Sequence, residues 1–285
     1  MPQAVSAPRL QLRRRFVFRG NAAAFGGRFV RPDEVFLEMP GASSLPVVGG
    51  RSVATFKGPA EHFKGYFSFA SATTFAEGKI DDLKKAIALT HGKVREETLV
   101  TSTHVRAEIN KLTLGTEKRL TIERMVAELR STSPRRGARE PTIPVGEVAI
   151  EGLAIDGYRL RVIFDASPFV EHDTYVKMLR AVTKASFAKK YGAQFFAGRG
   201  VSIKKRKQFH ATLVTRLEWE GEKNPRAEIV ANNVVVVQDF GKIFFGEILI
   251  NEGSRRLSLT RFELGSDGGG GAGGPDVDIN GGFSP

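Results

Sequence analysis

The clearest pattern of apolar and polar positions lies in the last third of the chain. Two runs there are almost wholly apolar, Ile229 to Val237 and Lys242 to Ile250, and a third run, Arg256 to Leu264, is mixed. Turn sequences rich in Asn, Asp and Gly separate the runs, so the pattern predicts a three-stranded antiparallel meander. Because Val235 and Ile248 have apolar neighbours on both sides, we expect both to be fully buried.

The apolar residues of the third run change side along its length. Leu257 and Leu259 face one way and Thr260 the other, whereas further on Phe262 is in phase with Thr260. A β-bulge near Thr260-Arg261 would return the apolar residues to one face of the sheet. We therefore expect a bulge at that point.

Other strands are predicted where apolar and polar residues alternate or where Val and Thr accumulate. They are Gln11 to Arg19, Tyr66 to Phe75, Thr98 to Asn110, Leu120 to Leu129, Glu147 to Ile155, Tyr158 to Phe164 and Phe209 to Trp219. In the fourth of these, Met125 to Leu129 also fit a helix, and we favour a strand. Asp156-Gly157, between two of these strands, is typical of a tight hairpin turn. Residues Lys79 to Thr90 fit a helix or a strand, and we favour a hairpin that turns at His91-Gly92.

One long amphipathic helix is predicted near residues 173–191. Its apolar face consists of Tyr175, Met178, Leu179, Val182 and Ala185, and Gly192 follows at its end. The predicted fold is therefore mainly antiparallel β, a sandwich or flattened barrel with this helix. The organisation is a body over residues 1–264, with 131–144 as the best place for an internal boundary, and a tail over 265–285. The tail has nine glycines, so we expect it neither to fold alone nor to pack on its own body.

Charge and cysteine content narrow the functional classes. The net charge is +12, and because the tail carries three aspartates and no Lys or Arg, the body alone carries +15. Such an excess favours an anionic partner, although it also serves plain solubility. The chain has no cysteine, which excludes disulfides, thiol nucleophiles and zinc-thiolate sites. No apolar segment of signal-peptide or membrane-spanning length is present, so we predict a cytoplasmic protein, with non-classical export or incorporation into a particle left open.

No residue pattern in the chain points to a catalytic, cofactor or metal site. The five histidines lack the spacing that places two metal ligands on one helix face, and no phosphate-binding glycine loop or nucleophile motif occurs. Paired carboxylates such as Asp276 and Asp278 are interpreted as solvated. An enzyme whose site is dispersed over several strands stays as the third functional hypothesis.

A basic cluster follows the predicted helix and is the candidate anion-binding site. It consists of Lys189, Lys190, Arg199, Lys204, Lys205, Arg206 and Lys207, with Phe195, Phe196 and Phe209 interleaved. Cations alternating with aromatic rings suit nucleic acid or an anionic membrane surface. A solvated loop or a contact with another protein explains the same pattern.

The leading hypothesis is a non-enzymatic structural subunit that forms a homo-oligomer through sheet edges and its C-terminal tail. Val277 and Ile279 are two residues apart and so face the same way in an extended chain, as an added strand requires. With Phe283 they are the sizeable apolar residues of the tail, and its aspartates would be drawn to Arg13, Arg15 and Arg19. Deleting 266–285 is expected to spare the fold and weaken assembly.

Overall fold

The fold is a sandwich of two antiparallel β-sheets with few helices, as predicted. The computed structural model describes residues 16–30, 34–37, 41–57, 67–80, 100–134, 140–195, 208–265 and 269–283. Its strands in chain order are β1 (Phe16–Ala23), β2 (Gly26–Phe29), β3 (Val35–Leu37), β4 (Ala42–Ser44), β5 (Gly50–Lys57), β6 (Phe67–Ser68), β7 (Ser71–Ile80), β8 (Val100–Leu114), β9 (Leu120–Pro134), β10 (Val145–Glu151), β11 (Ala154–Ile155), β12 (Tyr158–Phe164), β13 (Gln194–Phe195), β14 (Gln208–Thr212), β15 (Val214–Trp219), β16 (Ala227–Ala231), β17 (Val234–Val237), β18 (Gly241–Asn251), β19 (Ser254–Leu264), β20 (Gly270–Gly273) and β21 (Asp276–Phe283).

The two sheets differ in how the chain builds them. The second sheet has the order β15-β12-β11-β9-β8-β7-β5, largely from strands that are close in sequence. The first sheet has the order β13-β14-β18-β19-β20-β2-β3, with β21 between β19 and β1, and β4 beside β1. The first sheet therefore combines strands from both ends of the chain.

The core lies between the sheets and is rich in phenylalanine. Phe25 of the N-terminal region stacks on Phe67, with ring centroids 4.6 Å apart, and both rings are fully buried. Val235 and Ile248 are 0% exposed, which confirms the prediction made for them.

The predicted long helix is broken, and this part of the prediction is wrong. Between residues 167 and 191 the structure has three short helices, α1 (Ser167–Glu171), α2 (Tyr175–Val182) and α3 (Ala185–Tyr191), with an extended backbone at Lys184. Val182 and Tyr191 are nine residues apart, which is two and a half helical turns, so one continuous helix would point them to opposite sides. The break allows both side chains to be buried.

The meander has four strands, because the run from Ile229 to Val237 is a hairpin. β16 and β17 pair across Asn232-Asn233, a residue pair that favours tight turns. The expected bulge near Thr260-Arg261 is also wrong, since β18 and β19 keep one register throughout. In both strands the alternation of buried and outward residues shifts by one position at the same place, where Gly246, with a φ of 60°, lies opposite Leu259. Thr260 consequently points into the core.

Two predicted hairpin regions have different outcomes. Ile155 pairs with Tyr158 across Asp156-Gly157, both at positive φ, which confirms the predicted turn. The predicted turn at His91-Gly92 lies outside the described residues. Residues 131–134 of the segment 131–144 are the end of β9, and residues 135–139 lie outside the described ranges. β9 and β10 pair with each other in the second sheet.

Candidate functional site

The C-terminal segment, residues 270–283, is built into the first sheet of its own chain. β20 and β21 pair with β19 on one side, and with β2 and β1 on the other. Val277 and Ile279 are buried, at 0% and 1% exposure. The expectation that the tail does not pack on its own body is therefore wrong. The expectation that these two residues face the same way is confirmed, and they face the core.

The glycines of this region permit close contact between backbones. A Cβ on Gly274, whose φ is 151°, would lie 2.2 Å from the carbonyl oxygen of Ala24, and one on Gly27 would lie 2.6 Å from the Cβ of Ala272. Real side chains do not tolerate such distances, so glycine is required there. Composition alone does not distinguish this use of glycine from a linker, which is why the sequence pattern was misleading.

The C-terminal segment also joins the N-terminal strands to the rest of the first sheet. It separates β19 from β1 and β2, which pair with the segment and not with β19. Removing it would leave the main-chain groups of β1 and β19 without partners in the middle of the sheet. The expectation that the fold survives without residues 266–285 is therefore abandoned.

The residues predicted to make assembly contacts lie in different places. Arg19 is exposed on the outer face of β1, opposite Asn280, whereas Arg13, Arg15 and the side chain of Phe283 are outside the described part of the chain. Asp276 of the tail pairs with Arg256 of β19, through Nε at 3.1 and 3.0 Å, and not with the N-terminal arginines among the described residues.

The predicted anion-binding cluster is described at two of its seven positions. Lys189 and Lys190 are exposed at the end of α3, while Arg199 and Lys204, Lys205, Arg206 and Lys207 are outside the described ranges. The ammonium of Lys190 already donates to Asp165 at 3.0 Å, and contacts with Tyr191 and Asp165 raise its pKa. Within the described ranges, Lys189 and two residues missed by sequence reasoning, Arg180 and Lys184, have no ion-pair partner.

The outer face of the first sheet carries rows of polar residues in register, and we call it the polar face. On each strand these residues alternate with the buried ones. One row comprises Gln194, His210, Leu249, Arg256, Asp278, Asn21 and Ser44. The next row comprises Gln208, Asn251, Ser254, Asn280 and Arg19. No sequence motif marks this face, because strands distant in the chain contribute to each row.

Charged pairs hold the centre of the polar face. Arg261 donates to both oxygens of Glu247, at 2.6 and 2.9 Å, and the Nε2 of His210 lies 3.5 Å from that carboxylate. Burial alone would raise the pKa of Glu247, but hydrogen bonds from Arg261 and His210 outweigh it and lower the pKa to about 2. Such a carboxylate is suited to holding neighbours in place and not to exchanging protons near neutral pH.

Three open depressions adjoin one another on the polar face. Their volumes are about 450, 410 and 450 Å³, and Arg256 lines all three. Asp278 lies in the second depression, where burial raises its pKa despite a hydrogen bond with Asn21. The interpretation of Asp276 and Asp278 as merely solvated is thus incomplete, since Asp276 is paired and Asp278 is about half buried.

The outer face of the second sheet carries a closed network of ion pairs, which we call the ion-pair face. Arg124 contacts Glu108, Glu147 and Glu151 at 3.1, 2.7 and 2.9 Å. His104 lies 2.8 Å from Glu128. That contact and a hydrogen bond from Arg130 lower the pKa of Glu128 to about 2, against the opposing effect of burial.

Metal and membrane features can be stated for the described residues. In these ranges, no group of three or more His, Asp or Glu side chains is placed to hold a metal ion. None of the described helices is long and apolar enough to cross a membrane.

Comparison with known proteins gives a family. The profile of a family described as a domain of unknown function (DUF8256) matches residues 16–230, so the chain belongs to that family. Neither the curated proteins nor the solved structures contain a match. β18, β19 and the C-terminal segment lie beyond the matched range, although they supply the middle of the first sheet.

Proposed function

We propose that this member of the DUF8256 family is a non-enzymatic structural subunit that assembles with copies of itself by exchanging the C-terminal segment. The observation that carries the proposal is the position of that segment, which fills the first sheet between β19 and the N-terminal strands. A terminal segment can be exchanged between identical chains with every contact re-formed, so exchange costs little free energy.

A sheet edge gives further support. β5 is eight residues long and pairs, among the described strands, with β7 alone, and Val53 on its outer side is 50% exposed. Long edge strands with exposed apolar residues are templates for pairing with another chain. The second sheet could therefore add contacts between copies once the first sheet is linked.

Engineered disulfides test the exchange, because the chain has no cysteine of its own. Arg19→Cys combined with Asn280→Cys places two thiols opposite each other across β1 and β21. Exchange predicts chains linked into multimers on a non-reducing gel, together with particles larger than one chain by light scattering. The matched control is Thr55→Cys with Thr73→Cys across β5 and β7, which should close within one chain.

The outcomes of that experiment separate the alternatives. Multimers with the Arg19–Asn280 pair and monomers with the Thr55–Thr73 pair support exchange. If both disulfides form within one chain and the protein is a monomer, the structural proposal is overturned. If the Arg19–Asn280 disulfide forms within one chain but the protein is found in large particles, exchange is overturned and assembly through sheet edges such as β5 is the explanation that is left.

A second candidate function is binding to an anionic polymer or surface. The exposed cations Arg180, Lys184 and Lys189, which have no ion pair within the described ranges, favour it. Changing all three to Gln should weaken binding to DNA, RNA or anionic vesicles and flatten its salt dependence, by about 0.9 in log-log slope per lost duplex contact. The charge-matched control is Arg51→Gln, Lys57→Gln and Lys79→Gln. Equal binding by both variants would reject this function.

A further inference from the structure

We infer that the polar face is a binding site for a neutral oligosaccharide chain, a function separate from assembly. Its two longest rows cross five and seven strands, and apart from Leu249 their side chains are amides, hydroxyls, an imidazole, guanidinium groups and a carboxylate. An ordinary solvated sheet face does not require these residue types, since lysine and glutamate serve equally well there.

The shape of the site suits an extended ligand. One of the two depressions of about 450 Å³ is lined by small residues, namely Ala23, Gly26, Gly271 and Gly273. The row through Arg256 crosses seven strands, which at about 4.8 Å per strand gives a length of roughly 29 Å. Because two of the depressions lie along this row and the third adjoins them at Arg256, several sugar rings fit better than one small molecule.

The electrostatics favour a neutral ligand. In the depressions Arg256 pairs with Asp276, and Arg261 pairs with Glu247, so that neither guanidinium is free to neutralise a phosphate or sulfate. Asp278 and Glu263 add negative charge beside them, which repels anions even though the whole chain carries +12. The depressions therefore do not share the net positive charge of the whole chain.

The hydrogen-bonding groups match vicinal hydroxyls. A hydroxyl donates one hydrogen bond and accepts others, and Asn, Asp and Arg side chains present such partners in a fixed plane. Asn21 and Asp278 lie side by side on neighbouring strands, and His210 lies across from Leu249. Leu249, which lines the third depression, offers apolar surface for the C–H groups of a sugar ring. The Arg261 guanidinium lies 3.7 Å from the ring centroid of Phe244 and covers that ring.

Affinity electrophoresis of the full chain tests the inference. Native gels would contain neutral glucans, mannans, xylans or chitin oligosaccharides, with sulfated and amino-substituted polysaccharides as charged probes. We expect retardation by at least one neutral polymer. Isothermal titration with oligosaccharides of that polymer should then show at least tenfold weaker binding for Asn21→Ala and for His210→Ala.

The matched controls are Thr55→Ala and Thr73→Ala, which lie on exposed positions of the second sheet. They should bind as the unaltered chain does, and all four variants should melt at similar temperatures. Binding to none of the neutral polymers, binding to charged polymers alone, or equal binding by all four variants would overturn the inference. Because Asn21→Ala and His210→Ala leave the C-terminal segment in place, their failure to bind is distinguishable from a failure of assembly.

Discussion

The outer faces of the two sheets use similar residues to different ends. On the ion-pair face Arg124 is shared among three carboxylates, and a smaller depression, of about 290 Å³, lies beside His104 and Arg130. On the polar face Arg256 and Arg261 each hold a carboxylate beside glycines and alanines, so open depressions remain. The open space on the face of a β-sheet therefore depends less on which charges are present than on the small residues that stand between them.

The largest expected effect concerns the way in which the first sheet is completed. Deleting residues 266–285 should abolish soluble folding, because the buried Val277 and Ile279 and the hydrogen bonds on both sides of β21 are lost. Soluble yield and circular dichroism would measure the effect. A well-folded truncated protein with an unchanged melting temperature would mean that the second sheet is sufficient for the fold.

Two adjacent arginines on opposite faces of β19 sharpen the comparison. Arg255 is 2% exposed and donates to the carbonyl oxygens of Phe169 and His172 at 2.8 and 2.5 Å. Burial lowers its pKa to about 10. Arg255→Met should reduce the free energy of unfolding by about 3 kcal/mol, because two buried carbonyls lose their donor.

The matched control for Arg255 is Arg256→Met on the polar face. The side chain of Arg256 is 58% exposed, and loss of its pair should cost less than about 1 kcal/mol. Urea denaturation would measure both variants. Equal losses in the free energy of unfolding would show that the hydrogen bonds from Arg255 to Phe169 and His172, at α1, do not stabilise the fold more than the exposed pair does.

The low pKa values of Glu128 and Glu247 predict the same pH dependence on both faces. Each pKa is about 2, below the ordinary value of 4.5, so each carboxylate stabilises the fold above about pH 4.5 and loses this effect as the pH falls towards 2. Glu128→Gln and Glu247→Gln should each cost about 2 kcal/mol at pH 7. In urea denaturation at a series of pH values, the difference in free energy of unfolding between each variant and the unaltered chain should shrink as the pH falls from 4.5 to 2. A difference that does not change with pH would show that the ion pairs of Glu128 and Glu247 do not lower these pKa values.

The smallest effect is expected at the margin of the ion-pair face. Lys79 lies 3.9 Å from Glu77, and its side chain is 61% exposed. Lys79→Ala should change the free energy of unfolding by less than about 0.5 kcal/mol, because solvent screens an exposed pair. A loss above 1 kcal/mol in urea denaturation would mean that the ion-pair face acts as one cooperative network out to its edge.

Much of the fold, and little of the candidate site, is predictable from the sequence. Strand β8 (Val100–Leu114), the hairpin at Asp156-Gly157 and the burial of Val235 and Ile248 follow from local periodicity and turn chemistry. The polar face does not, because His210, Arg256 and Asn21 come from distant parts of the chain and meet through strand order.

The sequence by itself determined which residues alternate, where turns interrupt them and that the chain is mainly β, because side-chain period and turn preference are local properties. Tertiary structure decided which strands become neighbours. It placed the glycine-rich segment between β19 and β1, and it broke the helix so that Val182 and Tyr191 are both buried. The physical reason is that the free energy of burying a strand or a side chain depends on the partner that covers it, and that partner is not specified locally.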